Sequence, residues 1–223
     1  MALIELSNIT KKYPDGESRY NHILRGVNLN VEEGGFVAIM GQSGSGKTTL
    51  LSILGALLQP DEGNYILNGK DILTSGVNLA EVRNRQIGFV FQEHRLMPQL
   101  NVLDNILLPT LALNNKADKD QTDYAKFLMG ITGIETITHQ YPQTISGGEA
   151  SRVAVCRALI MKPLLVLADE PTGQLDSDNS EKITALLTKI NRELRTTIIM
   201  VTHSKEVASV ASQILTLKDG VLS

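Results

Sequence analysis

The sequence predicts an α/β domain: a mixed sheet with helices packed on it, an antiparallel β edge and a helical insertion. Three observations lead there. Short apolar runs alternate with helical stretches along the 223 residues. One such run, Phe36–Met40, passes through a glycine-rich turn into a helical pattern. Between Gln92 and Ile160 strand signals vanish, and helical periodicity with polar turns takes over.

In chain order, Ile4–Ile9 and Ile23–Leu29 alternate apolar with polar residues, the pattern of antiparallel strands at one edge. Phe36–Met40, Ile87–Phe91, Leu164–Ala168 and Thr197–Val201 are apolar throughout, as strands buried on both faces are. Lys47–Leu58 carries apolar residues at helical spacing. Asn114–Asp120 reads as a polar turn within the helical stretch, and Cys156 lies in an apolar helical run. Gln213–Leu217 reads as the last strand, followed by a turn at Lys218–Gly220 with no room for a regulatory appendage. The expectation is one domain over 1–223, with its core in 1–91 and 161–223 and a helical subdomain at 92–160.

Composition narrows the function. Hydrophobic residues make up 42% and charged residues 20%, enough for a core without metal or disulfide staples. A net charge of −3 argues against a nucleic-acid partner, which favours clustered Lys and Arg. Cys156 is the only cysteine, so no internal disulfide forms, and it reads as a small buried hydrophobe. The start, MALIELSNITKKY, lacks the pattern of a secretory signal. The best candidate for a membrane span, Val102–Leu113, is broken by Asp104, Asn105 and Pro109. Work at a membrane is therefore expected to go through a partner.

Gly41-Gln-Ser-Gly-Ser-Gly-Lys-Thr48 fits G-x-x-x-x-G-K-[ST] at every fixed position. Glycines let the backbone curl so that its N–H groups converge on phosphate oxygens. The following helix adds the positive end of its dipole. Gly41, Ser43, Gly44, Ser45, Gly46 and Thr49 are candidate nucleotide contacts; Lys47 supplies a charge, and the Thr48 hydroxyl can ligate Mg²⁺. The motif alone indicates only a nucleoside triphosphate.

Leu164-Leu-Val-Leu-Ala-Asp-Glu170 is an apolar strand ending in two acids, where open α/β sheets bind ligands. Asp169 is placed to hold Mg²⁺, and Glu170 to take a proton from the water that attacks a γ-phosphate. A third segment, Ile145-Ser-Gly-Gly-Glu-Ala-Ser-Arg152, runs into a helical pattern at Val153–Leu159. Its Ser-Gly-Gly makes a second anion-receptive turn. A chain with one triphosphate has no use for two such turns, unless a second copy presents its turn across an interface.

The order of phosphate loop, Gln92, Ser146-Gly147-Gly148, carboxylate strand and His203 resembles the ABC ATPases, a branch of the P-loop NTPases, over essentially the whole chain. The resemblance implies that Tyr13 stacks on adenine, and that Gln92 touches Mg²⁺ and the attacking water and relays nucleotide state to the helical insertion. It implies that His203 contacts the γ-phosphate, and that Gly173–Asp176 meets an opposite subunit. Ser146, Gly147, Gly148 and Glu149 become nucleotide contacts from a neighbour. Ile145 stands where leucine is usual, Glu149 where glutamine is commonest, and Ala150-Ser151 replaces longer polar residues.

The same resemblance implies a head-to-tail dimer, a homodimer or a paired ATPase, clamping two ATP molecules. Hydrolysis opens the clamp and drives separate integral membrane permease subunits, with the ATPase held on the inner face of the cell membrane. Arg95–Leu100 carries Leu96, Met97 and Leu100 in a segment expected to be partly exposed for docking. Pro14–Tyr20, Phe91–Leu96 and Ala168–Gly173 look like the lipoprotein-release and macrolide-efflux branch. A cell-division ATPase, or a soluble ABC ATPase acting on nucleic acid or ribosomes, is the alternative.

Overall fold

Alternate residues of Phe36–Met40 enter two different cores: Phe36 and Ala38 pack on one side, Val37 and Ile39 on the other. A strand must be apolar at every position when both of its faces are covered. The runs around Val166 and Ile198 divide in the same way, Val166, Ala168, Ile198 and Met200 facing one core and Leu165, Leu167, Ile199 and Val201 the other.

The computed structural model describes residues 2–16, 19–112 and 116–223. The chain begins with β1 (Ala2–Pro14), β2 (Tyr20–Glu32) and β3 (Phe36–Met40), followed by α1 (Lys47–Leu54). Next come β4 (Glu62–Leu67), β5 (Lys70–Asp71), α2 (Leu79–Gln86) and β6 (Ile87–Val90). Three helices follow: α3 (Val102–Leu107), α4 (Lys119–Thr132) and α5 (Gly147–Leu159). The remainder is β7 (Leu165–Asp169), α6 (Ser177–Leu194), β8 (Thr197–Val201), α7 (Lys205–Ala208), β9 (Gln213–Lys218) and β10 (Val221–Leu222).

The main sheet has the order β10-β9-β3-β8-β7-β6. Its strands pair in parallel except β10, which turns back antiparallel on β9 and makes the sheet mixed. The antiparallel strands form a sheet of their own, β2-β1-β4-β5, covering the core that holds α1. The opposite core is filled from α3, α4, α5, α6 and α7. Buried Tyr65 of β4 donates its hydroxyl hydrogen to the Leu54 carbonyl at 2.7 Å, tying the small sheet to the end of α1.

Several boundaries differ from the expectation for local reasons. The helix expected over Lys47–Leu58 stops at Leu54: Gly55 caps it, Ala56 turns left-handed (φ 53°), and Leu57 and Leu58 hang their N–H groups on Ser52. The strand expected to reach Phe91 ends at Val90, and Phe91 instead stacks on Phe89 with ring centroids 5.4 Å apart. The strand at Leu164–Ala168 is shifted to Leu165–Asp169. The helix expected from Val153 starts at Gly147, because Ser146 caps it. β10 follows the strand expected to be last. In Val102–Leu113, α3 is followed by a 3₁₀ turn over Leu108–Ala112; Leu113 lies outside the described residues. So do Asn114 and Asn115 of the expected polar turn, and Glu17 and Ser18 of the Pro14–Tyr20 insertion. Cys156 is fully buried, and burial pushes its thiol up to about 12.

One contact sets where α5 lies. A Cβ on Gly88 of β6 would sit 2.2 Å from the Ala158 carbonyl oxygen, so only glycine lets the helix backbone rest on the strand. Nearer the N-terminus of α5, Ser151 bonds to His94 just beyond the C-terminal end of β6, so that end of the helix lies on the side where the parallel strands end.

Candidate functional site

β3 delivers the chain into the glycine-rich loop, and α1 takes it away. Gly44 (φ 79°) and Gly46 (φ 102°) adopt left-handed conformations that L side chains disfavour, which closes the loop. The Lys47 ammonium folds back inside it, donating to the Gly41 and Gln42 carbonyls at 2.8 and 2.9 Å. A cation thus sits where the loop N–H groups and the start of α1 already favour negative charge.

A cavity of about 580 Å³ opens over this loop. Gly41, Ser43, Gly44, Gly46, Lys47, Thr48 and Thr49 line one side of it, and Gln92, Asp169, Glu170 and His203 the other. Residues from four separate stretches of sequence meet there because β3, β8, β7 and β6 are adjacent and parallel, ending on one rim. Ser45 faces an adjoining cavity of about 720 Å³, which shares the loop and His203. Ile23 of β2 lines both cavities, a contribution with no signal in the sequence.

The two acids differ in environment. Asp169 is half-buried; burial first, then the adjacent Glu170 charge, pushes its carboxyl above the usual range, against the pull of Lys47 and Arg95. Glu170 leaves β7 in a left-handed conformation (φ 45°), its N–H bonded to the Val201 carbonyl at 2.9 Å. That turn aims its carboxylate at His203, whose Nδ1 lies 2.5 Å from Oε2. The Gly173 N–H donates to the Glu170 carbonyl at 3.0 Å. A Cβ on Gly173 would come within 2.9 Å of the Gln92 side-chain nitrogen, so this turn and Gln92 are in close contact.

Other expected contacts lie elsewhere. Ser146, Gly147, Gly148 and Glu149 do not line the cavity; they form the first turn of α5. Glu149 has a structural task there that the nucleotide reading missed, although the S-x-x-E spacing signals it. Its carboxylate accepts from the Ser146 N–H at 2.8 Å and the Ser146 hydroxyl at 2.7 Å, while its own N–H donates to the Ser146 oxygen at 3.3 Å. Those bonds hold the Glu149 carboxyl below the usual range, the one from the Ser146 hydroxyl foremost. Tyr13 also stands outside the cavity, near the tip of the β1–β2 hairpin, 40% exposed and with the Lys11 ammonium 5.9 Å from its ring centroid. Of the expected docking residues, Met97 is exposed, whereas Leu96 packs partly into the helical core and Leu100 is half-buried.

A glycine-rich loop of the phosphate-binding pattern, a half-buried acid beside a second carboxylate, and a histidine held on that carboxylate point to a nucleotide-hydrolysing class of protein. Comparison with known proteins agrees. The sequence profile of the family described as ABC transporter matches residues 24–173. The chain is 44% identical over 221 residues to the lipoprotein-releasing system ATP-binding protein LolD 1 of Rhodopirellula baltica, spanning 99% of this chain and 96% of that one. It is also 44% identical to the macrolide export ATP-binding/permease protein MacB of Chlorobaculum tepidum, spanning 99% of this chain but only 33% of that longer protein. A solved dimer of the ATP-binding cassette MJ0796, in a post-hydrolysis state with ADP and Pi, superposes with a TM-score of 0.88. That match is at 39% identity and covers 99% of this chain and 96% of the other. The chain belongs to the ABC transporter family, and it is an ATP-binding, ATP-hydrolysing member of it.

Proposed function

We propose that two such ATPase subunits pair head to tail, each ATP lying between the phosphate loop of one and the Ser146–Gly148 turn of the other. The observation that carries this reading is a separation: the cavity gathers every catalytic candidate, while the second anion-receptive turn stands outside it. The dimeric state of the related cassette MJ0796 supports the pairing.

In this reading Gly41–Thr49 cradle the phosphates, Lys47 neutralises their charge, and Tyr13 stacks on the adenine. Glu170 accepts a proton from water as the water oxygen bonds to the γ-phosphorus and the bridging P–O bond to ADP breaks. His203 holds Glu170 in place through the bond to Oε2 and reaches the γ-phosphate. Gln92 orients the water. The hydroxyl of Thr48, the amide oxygen of Gln92 and the carboxylate of Asp169 are hard oxygen donors on one cavity, a set that suits Mg²⁺. Among the described residues no cluster of three His, Cys, Asp or Glu side chains could hold a metal, so the ion would rely on these mixed donors together with phosphate. When bound, it neutralises charge on the phosphate oxygens. Asp169 favours such a cation, since burial and the neighbouring Glu170 charge both disfavour its carboxylate when it stands alone.

The motor reading extends to a membrane partner. Among the described residues no helix is long and apolar enough to cross a membrane. A mainly apolar groove of about 480 Å³, with Leu57, Phe89, Phe91 and Pro109 in its walls, offers a permease segment a seat beside Gln92. The residues 92–160 act as the helical subdomain that moves with it, and the complex sits on the inner face of the cell membrane. LolD and MacB relatives favour lipoprotein release or export of a lipophilic substrate. The test is turnover and oligomeric state of the Glu170→Gln protein together with co-purification of a permease. Trapped ATP-bound dimers are expected, and turnover equal to wild type would remove Glu170 as the base.

A further inference from the structure

Two residues beyond Gln92 the chain makes an unusual turn. His94 (φ 58°) and Arg95 (φ 48°) are both left-handed, a conformation that L residues with side chains disfavour. What holds them is α5. The half-buried Arg157 guanidinium donates to the Arg95 carbonyl at 2.7 Å and to the His94 carbonyl. The His94 Nε2 makes a 2.6 Å hydrogen bond with the hydroxyl of Ser151, which is 2% exposed. On its other side, the Arg95 guanidinium lies 4.3 Å from the Phe91 ring centroid. Ser151 lies one helical turn after Gly147, on the same face of α5.

We propose that His94 is a positioning residue for the Ser146–Gly148 turn, acting through its hydrogen bond to Ser151. This rests on the reading that the turn grips a neighbour's γ-phosphate. Gln92 lines the nucleotide cavity of its own chain, His94 follows it by two residues, and Ser151 and Gly147 share one rigid helix. The relay from Gln92 to the helical insertion, which the family resemblance implies, thereby gains in this chain a hydrogen bond to the helix that carries the turn. Small Ser151, where longer polar side chains are usual in the family, leaves room for the imidazole to reach the helix.

The test uses the Glu170→Gln protein, measuring ATP-dependent dimerisation by light scattering and single-chain ATP affinity below the dimerising concentration. His94→Ala and Ser151→Ala are each expected to weaken dimerisation about tenfold, as loss of one buried hydrogen bond does. Single-chain ATP affinity is expected to stay unchanged. The double variant should be no worse than either single one, and His94→Gln, which keeps a hydrogen-bonding amide at similar reach, should recover most of the loss. Gly147→Asp is the control for the turn itself. If Gly147→Asp abolishes dimerisation while His94→Ala and Ser151→Ala dimerise like the parent, the positioning role alone is overturned. If Gly147→Asp also dimerises like the parent, the reading of the turn fails, and this inference with it. Additive losses in the double variant, or a His94→Gln protein no better than His94→Ala, would likewise overturn it.

Discussion

His203 Nδ1 lies 2.5 Å from Glu170 Oε2, joining the ends of two adjacent strands over the nucleotide cavity. The histidine side chain is 69% exposed and the glutamate 20%, so the pair presents the imidazole outward and the carboxylate inward. A general base needs a fixed direction as well as a proton affinity. For Glu170 in its proposed role, that direction would come from a left-handed backbone on one side and an imidazole on the other.

Replacing Glu170 by Gln should slow phosphate release by at least about 100-fold, the usual contribution of a positioned base. His203→Ala should slow it as well. The double variant should be little slower than Glu170→Gln alone, because part of the histidine's effect passes through the carboxylate. Steady-state phosphate release on the four proteins checks this, and fully additive losses would separate the two roles.

Glu149 should tolerate glutamine and not alanine. Gln keeps the acceptor for the Ser146 N–H, whereas Ala opens the capping box and should cost about 1 kcal/mol. The carboxyl's folded value lies below its ordinary 4.5, so it contributes stability above that pH, and the contribution is lost as pH falls through the folded value. Denaturation of wild type and Glu149→Gln between neutral and acid pH should show a shallower acid loss in the variant.

Gly147 and Gly88 should respond oppositely to a side chain. A Cβ on Gly147 would find Leu175 Cδ2 at 3.7 Å, an ordinary contact, and Asp suits the first turn of a helix. Gly147→Asp should therefore keep its thermal stability and lose ATP-dependent dimerisation to charge repulsion. Gly88→Ala forces a Cβ against the Ala158 carbonyl and should destabilise by about 1–3 kcal/mol. Thermal melts of both proteins, beside light scattering with ATP, distinguish the two outcomes.

Tyr13→Ala should weaken single-chain ATP binding by about 1–3 kcal/mol, the range for a base stacked on an aromatic ring. Tyr13→Phe should bind like wild type, since the ring and not the hydroxyl does the stacking. Both should melt as wild type, because Tyr13 is exposed at a hairpin end. A titration with a fluorescent ATP analogue measures it.

Two helices show what kind of signal went unread. α6 begins at a capping Asp176 and buries Ile183, Leu186, Leu187 and Ile190, a helical period plain in the sequence but overshadowed by the motifs before it. α2 is mostly polar with a single buried residue, Val82, and only its Asn78 cap announces it. β4 begins Glu-Gly-Asn and became a strand through pairing with β1, not through its own propensity. Asn105 looked like an interruption of an apolar run. It is fully buried, accepting the Met97 N–H at 2.7 Å and sharing its amide hydrogens among the Met97, Leu100 and Asn101 carbonyls.

The phosphate loop, the two acids, the capped turn of α5 and the doubly buried strands were all determined by the sequence itself. Each depends on residues adjacent in the chain, whose backbone freedom and polarity act within a few ångströms. Only the tertiary structure decided that the antiparallel strands would make a separate sheet, that Glu170 would meet His203, and that His94 would reach Ser151. Those contacts join positions tens of residues apart, and they form only once strand order and the tight seat of α5 on Gly88 have brought the elements together.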